Sequence, residues 1–402
     1  MKAFAVIGSA FGDCGKGKHV DYLSAKYGRE CVVVRSNGGA QAGHTVVTPE
    51  GLRHVFHHFG SGSFNGSATY LSEFFIVNPI IFRQEYEELV SKGVKPVVYV
   101  SPNCMVTTPY DMLINQMVEE MRGGAKHGSC GYGIHETITR HVDYNIPFHI
   151  DLMMKAWKNE YYSYLTKDIR DEYVPMRLYD LGIILKNVPS KYFELFRNEN
   201  LLKRYVEDIE FFHKYTTMVD PDYFNDGYFK AVVFEGAQGL LLDEDHEFFP
   251  NVTRSKTGLH NVIELCKQMN ITNINVSYLT RAYTTRHGAG PMPFELPEKP
   301  YINIEDQTNL SNEWQGSLRF SYLNWDLVMD AIGRDIENNC RKGIVVDYNI
   351  GISCLDQLDE SVTYIHMGGY NKNSVDTFLQ IWGIRYASYG PTRNDIKERW
   401  SY

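Results

Sequence analysis

The chain has 402 residues, 43% hydrophobic and 22% charged, with 40 Lys and Arg against 49 Asp and Glu for a formal charge of −9. That composition supplies a large core, and its acidic balance argues against a general nucleic-acid binder, whose footprint is basic. No apolar run approaches the roughly 20 residues of a membrane span, and the first one, Ala3–Ile7, is too short for a signal-peptide core. A cytoplasmic, enzyme-sized fold is expected. Seven scattered cysteines without a CxxC pair predict reduced thiols rather than a zinc ribbon or a disulfide framework.

In chain order, Phe4–Ile7, Cys31–Val34 and Pro96–Val100 read as buried strands. Ala231–Phe234, Ile274–Tyr278, Ile344–Val346 and Val362–Ile365 continue the series. Strands alternating with helix-compatible stretches predict an α/β fold, a mostly parallel twisted central sheet flanked by helices. The segment 151–228 differs, being rich in Tyr, Phe, Lys and Glu and poor in Gly. Leu201–Phe212 has helical spacing there and Asn187–Ser190 is a break, so a helical insertion is expected, with helices packed on the sheet as the alternative. No linker or repeat divides the chain, and 1–402 is read as one catalytic domain carrying that insertion.

Gly8-Ser9-Ala10-Phe11-Gly12-Asp13-Cys14-Gly15-Lys16-Gly17-Lys18 joins the first strand to the helix-compatible His19–Tyr27. A strand, glycine loop and helix in this order turn backbone amides toward a phosphate, and Lys16 and Lys18 add charge. The architecture is P-loop-like but departs from G-x-x-x-x-G-K-[ST], with Ala10 and Gly17 where Gly and Ser or Thr belong. A carboxylate beside phosphates repels them, so Asp13 makes sense as a Mg2+ ligand or as a base.

Six ordered blocks resemble the adenylosuccinate synthetases. Gly12–Lys18 is similar to the family's GDEGKGK loop, with Cys14 in place of Glu, and Asn37–Thr45 to GGxNAGHT. Gly128–Ile134 is similar to GTTGRGIG, and Phe234–Asp243 with Pro250–Thr253 to FEGAQGxLLD…YPYVTS. Ala282–Pro291 resembles AYSTRVGAGP, and Ser388–Arg393 resembles SxGPxR.

The resemblance implies a ligase that joins aspartate to C6 of IMP, with GTP as phosphate donor and Mg2+ as cofactor. It makes Asp13 the base, His44 the general acid, and Lys16 and Gln238 further catalytic groups. The purine nucleotide falls to Ser129, Cys130, Arg140, Gln238, Thr253 and Arg286, with Arg140 reaching a neighbouring subunit and so implying a homodimer. GTP falls to Gly12, Gly15, Lys16, Gly17, Lys18, Ser388 and Gly390, with Asp356 reading the base. Mg2+ falls to Asp13 and the Gly43 carbonyl, and aspartate to Arg319 and Ser317.

Several positions depart from the family. Cys354 replaces the lysine of TKLD, Tyr132 an arginine, and Gln41 an asparagine. The arginine-rich aspartate loop is reduced to Gln315-Gly316-Ser317-Leu318-Arg319-Phe320. Two alternatives follow: a phage-type enzyme that joins aspartate to dGMP, with GTP or ATP as donor, and a nucleotide sensor without turnover. Outside the blocks, His54, His57 and His58 have no acidic or cysteine partner at ligand spacing and read as surface or strand residues. Cys130 and Cys354 read as pocket-wall atoms.

Overall fold

The computed structural model describes residues 1–123, 129–155, 158–306, 317–340 and 343–399. Among them, ten strands form one sheet. From edge to edge they are Ile396–Glu398, Tyr386–Ser388, Val345–Ser353, Asn273–Arg281, Lys2–Gly8, Ala231–Glu235, Cys31–Arg35, Ala68–Leu71, Val98–Val100 and Thr217–Met218. Only the edge pair Tyr386–Ser388 with Ile396–Glu398 is antiparallel.

Side chains alternate across the central strand, and each face finds its own helices. Ala5 and Ile7 pack with Val262 and Leu265 of helix Leu259–Gln268 and with Trp325 and Val328 of helix Trp325–Asn339. Val6 points the other way, onto Val20 and Leu23 of helix Lys16–Ser24. A parallel sheet buried on both faces is the architecture that near-continuous apolar strands predict.

Six of the seven expected strands lie in this sheet. Val362–Ile365 does not: strand Ser361–His366 belongs to a separate four-stranded sheet with Tyr283–Arg286, Arg319–Asn324 and Gly369–Ser374. A hairpin, His44–Val47 with Arg53–Phe56, stands apart from both. The segment expected to be helical contains helices Ile150–Lys155, Lys158–Tyr164, Val174–Asp180, Ser190–Phe196 and Glu199–Tyr215. Its buried Leu165, Tyr173, Ile209 and Phe212 share an apolar cluster with Leu113 and Met117 of helix Pro109–Met121 and with Leu71, Val98 and Val100 of the large sheet. The segment then rejoins the large sheet through Thr217–Met218.

Of the three clustered histidines, His54 lies in strand Arg53–Phe56, as expected, and His57 is half-buried, but His54 and His58 are not surface residues. Glu85, inside helix Pro79–Ser91, is buried and accepts from the main-chain N–H of His57 (2.8 Å) and His58 (2.7 Å). It also lies 3.6 Å from His54 and 3.7 Å from His58, both buried. Their acidic partner exists, but it arrives from a helix some thirty residues away, beyond the reach of spacing rules.

The deepest polar group lies where the central strands end. Glu235 closes strand Ala231–Glu235 directly opposite Arg35, and both are fully buried. Glu235 Oε1 is 2.6 Å from His44 Nδ1 and accepts from Ser61 Oγ, while Oε2 accepts from Ser61 N (3.0 Å) and faces Arg35 at 3.3 Å. Burial alone raises the Glu235 pKa, but the charges of His44 and Arg35 and the His44 and Ser61 hydrogen bonds outweigh it, holding the carboxyl at about 2. Burial pushes His44 down to about 4, against the pull of Glu235. His44 is therefore neutral at pH 7, with its proton on Nδ1 and donated to Glu235.

These directions set a pH dependence. Between pH 6.5 and about 4 the unfolded His44 takes a proton that the folded one refuses, and between 4.5 and about 2 the same holds for Glu235. The unfolded state binds more protons in both windows, so stability falls as pH falls. The Tm of the ligand-free protein should drop from pH 6.5 to pH 4, with a shallower slope in His44→Gln. Equal slopes for the two proteins, measured by thermal melts across that range, would contradict the assignment.

Candidate active site

The glycine loop leaves strand Lys2–Gly8 and enters helix Lys16–Ser24 through Gly15, whose φ of 80° places it in the left-handed region. No side chain caps that helix and its first turn holds no acidic residue, so its free amides are available to an anion. Asp13, just before, also has positive φ (50°), which Asp tolerates better than most residues. Its main-chain carbonyl accepts from Arg281 Nε, and Arg281 is held in turn by Asp306 (2.9 Å) and the Tyr283 hydroxyl (3.2 Å).

The loop packs on the turn that follows Glu235. A Cβ on Gly239 would stand 2.1 Å from the Ala10 carbonyl, so only glycine lets the two turns meet. Lys16 Nζ donates to the Gln238 carbonyl at 2.5 Å, and Lys18 Nζ donates to Ser388 Oγ and to the Gly390 carbonyl (2.5 Å). Burial lowers the Lys18 pKa, opposed by nearby Cys354, Asp356 and Asp395. Gly17 lies against His44, where an added Cβ would approach the His44 Cβ to 3.1 Å.

Together these segments bound a cleft of about 310 Å³. Into it come Gly12, Asp13, Gly15, Lys16, Gly17 and Lys18 from the loop, and Gly43 and His44 from the second block. Cys130 and Gln238 supply further wall, as expected, and so does Cys354. Gln238 Oε1 and Gln41 Oε1 are buried without a hydrogen-bond partner, which leaves two amide acceptors for a ligand's N–H groups. Burial pushes the Cys130 thiol up to about 11, so it is an un-ionised wall atom.

Other expected residues lie elsewhere. Arg140 is fully buried and spends its guanidinium on Asp111 (3.0 Å) and on the Val106 and Ile146 carbonyls. It does not reach out of the molecule, and the homodimer it was to serve loses that support. Arg286 donates to the Pro291 and Asn251 carbonyls and stacks 4.5 Å from the Phe11 ring, bracing the loop from behind rather than lining the cleft. Arg319 pairs with Glu295 and donates to the Gly288 (3.0 Å) and Gly290 (2.9 Å) carbonyls, so it fixes a turn instead of offering a free cation.

Ser317 is exposed, Asp356 is exposed off the cleft wall, and Ser129 Oγ donates to Asn115 at 2.8 Å. Thr253 borders neither cleft, although Arg254, Ser255 and Lys256 after it line a second cleft of about 300 Å³ that adjoins the first at Gln41. Ser388 and Gly390 serve the site by holding Lys18. Gly128, Gln315 and Gly316 fall outside the described residues.

Sequence reasoning missed Arg281, Ser353 and His287, all on the cleft wall. Ser353 Oγ donates to the Cys14 carbonyl at 3.1 Å, and His287 Nε2 lies 3.4 Å from Asp13 Oδ2. The available signal was position: Arg281 lies just past the predicted strand Ile274–Tyr278, and His287 stands inside a matched block. Among the described residues no group of three or more His, Cys, Asp or Glu could hold a metal alone. Of the two carboxylates on the cleft wall, Asp306 is paired with Arg281, while Asp13 and Gly43 offer hard oxygen donors, which suits Mg2+ shared with phosphates rather than a zinc site.

The adenylosuccinate synthetase profile matches residues 5–315. An adenylosuccinate synthetase of Streptomyces griseus is 30% identical over 310 residues, covering 74% of this chain and 66% of that protein, just under two thirds of its length. Two solved structures share the fold across nearly the whole chain. A fully ligated adenylosuccinate synthetase from Plasmodium falciparum has a TM-score of 0.72 at 18% identity, covering 100% of both chains. A succinoaminodeoxyadenylate synthetase of cyanophage S-2L, solved with dGMP and with dATP as energy donor, has a TM-score of 0.61 at 16% identity, covering 99% of this chain and 95% of that one. By the profile match over residues 5–315, this chain belongs to the adenylosuccinate synthetase family.

Proposed function

We propose that the chain is a ligase that joins L-aspartate to C6 of IMP at the expense of GTP, giving adenylosuccinate, GDP and phosphate. The supporting observation is the convergence on one cleft of an amide-rich phosphate loop, a carboxylate within it, and an imidazole bonded to a buried carboxylate. A purine 6-oxo oxygen is a poor nucleophile until N1 loses its proton. Asp13 takes that proton, and O6 then attacks the γ-phosphorus while the bond to the β–γ bridging oxygen breaks.

Lys16 and the first-turn amides of helix Lys16–Ser24 neutralise the oxygens in transfer. His44 is neutral in the free protein, and an arriving polyphosphate together with Glu235 favours its imidazolium, which gives a proton to the departing GDP. Asp13 and the Gly43 carbonyl would hold Mg2+, which would supply further charge neutralisation for the phosphates. The aspartate amine then attacks C6, the 6-phosphoryl group leaves as phosphate, and the amine nitrogen sheds its proton.

A second reading keeps this chemistry with dGMP as acceptor and ATP as donor. What favours it is the donor side of the cleft, where Cys354 stands in place of the family's lysine and Asp356 is off the wall. Both residues lie beyond residue 315, where the profile match ends. The test is a grid of IMP and dGMP against GTP and ATP, with aspartate and Mg2+, followed by phosphate release and adduct formation. IMP with GTP should be the fastest pair, dGMP with ATP the fastest if the second reading holds, and no turnover in any pair sinks both. Lys16→Ala should lower kcat/KM by about 100-fold or more in the productive pair.

A further inference from the structure

One cleft residue has no part in that scheme. His287 stands where the family's AYSTRVGAGP block has valine. Its ring projects into the cleft, with Nε2 at 3.4 Å from Asp13 Oδ2. Both ring nitrogens are out of solvent, and neither has a hydrogen-bond partner of good geometry. An imidazole whose two nitrogens are shut from water without partners is costly, so a residue of this kind in place of valine calls for a compensating contact.

The backbone on each side of the contact is fixed independently. Asp13 is held by Arg281 Nε at its carbonyl. The turn that carries His287 is held by Arg319 at the Gly288 and Gly290 carbonyls and by Arg286 at the Pro291 carbonyl. The arginines expected to bind substrate thus build a rigid seat for His287. Such a seat leaves the two side chains facing each other with only torsional freedom. Hydrogen bonds of this kind are often long in the free enzyme and shorten in the substrate complex.

We propose that His287 is a positioning residue that donates Nε2–H to Asp13 Oδ2. The bond fixes the rotamer of the carboxylate, so that its other oxygen meets the N1–H of the nucleobase. No net proton moves between the two residues. This inference rests on the ligase reading above, in which Asp13 is the base.

Kinetics of His287→Val, which installs the residue of the family pattern, and of His287→Gln, which keeps an N–H donor, test it. His287→Val should lower kcat by about 10- to 100-fold, the cost of a misplaced reacting group, and leave the donor KM within about twofold. His287→Gln should recover most of that loss. In an Asp13→Asn background, adding His287→Val should cost nothing more, because the effect runs through Asp13. The proposal is overturned if His287→Val keeps wild-type kcat, if the glutamine variant is as poor as the valine one, or if the two losses multiply. A wild type inactive with every nucleotide pair would instead sink the ligase reading. The contact is then read without turnover: the ¹⁵N resonances of the His287 ring should shift in Asp13→Asn, and unchanged resonances would overturn it.

Discussion

A single buried carboxylate organises the reacting end of this molecule. Glu235 sits at the end of a central strand with no access to water, and there an ionised carboxylate persists only if its oxygens are paired. Arg35 comes from the adjacent strand, Ser61 from a loop and His44 from the hairpin, so satisfying one charge draws three separate segments to one place. The same demand sets the tautomer of His44. The hairpin is fixed a second time by His57, whose Nδ1 lies 2.9 Å from the Ala40 carbonyl, and by Glu85, which holds the main chain of His57 and His58.

The glycine loop is placed by contact rather than by charge. Gly8 and Gly239 leave no room for a Cβ between the loop and the turn after Glu235, so the loop's position follows from that of the strand ends. The acidic chain then concentrates cations there, with Lys16, Lys18 and Arg281 all on the cleft wall. Lys16 and Arg281 also bond main-chain carbonyls of the two turns, so they stiffen the cleft that they charge.

Much of the fold was legible because its signals are local. Strands such as Cys31–Arg35, buried on both faces, read as continuous apolar runs, and helix Glu199–Tyr215 carries its spacing openly. The four-residue strand Ala68–Leu71 and the three-residue Ile396–Glu398 are too short to show a period, and they went unseen. At the site, the glycine loop, His44 and Gln238 were legible from their blocks. The arginines were not: a sequence shows that Arg140, Arg286 and Arg319 are cations, but not that Asp111, two carbonyls and Glu295 already occupy them. The partner of a buried polar group is set by the tertiary fold, and so it was for His54 and His58.

Isotope tracing tests most directly whether this cleft phosphorylates the 6-oxo oxygen of a purine. The acceptor nucleotide, labelled with ¹⁸O at C6, is turned over with aspartate, donor triphosphate and Mg2+, and the released phosphate is examined by mass. Attack by O6 on the γ-phosphorus predicts one ¹⁸O in every phosphate released. Unlabelled phosphate, formed at the same rate as the aspartate adduct, would contradict it.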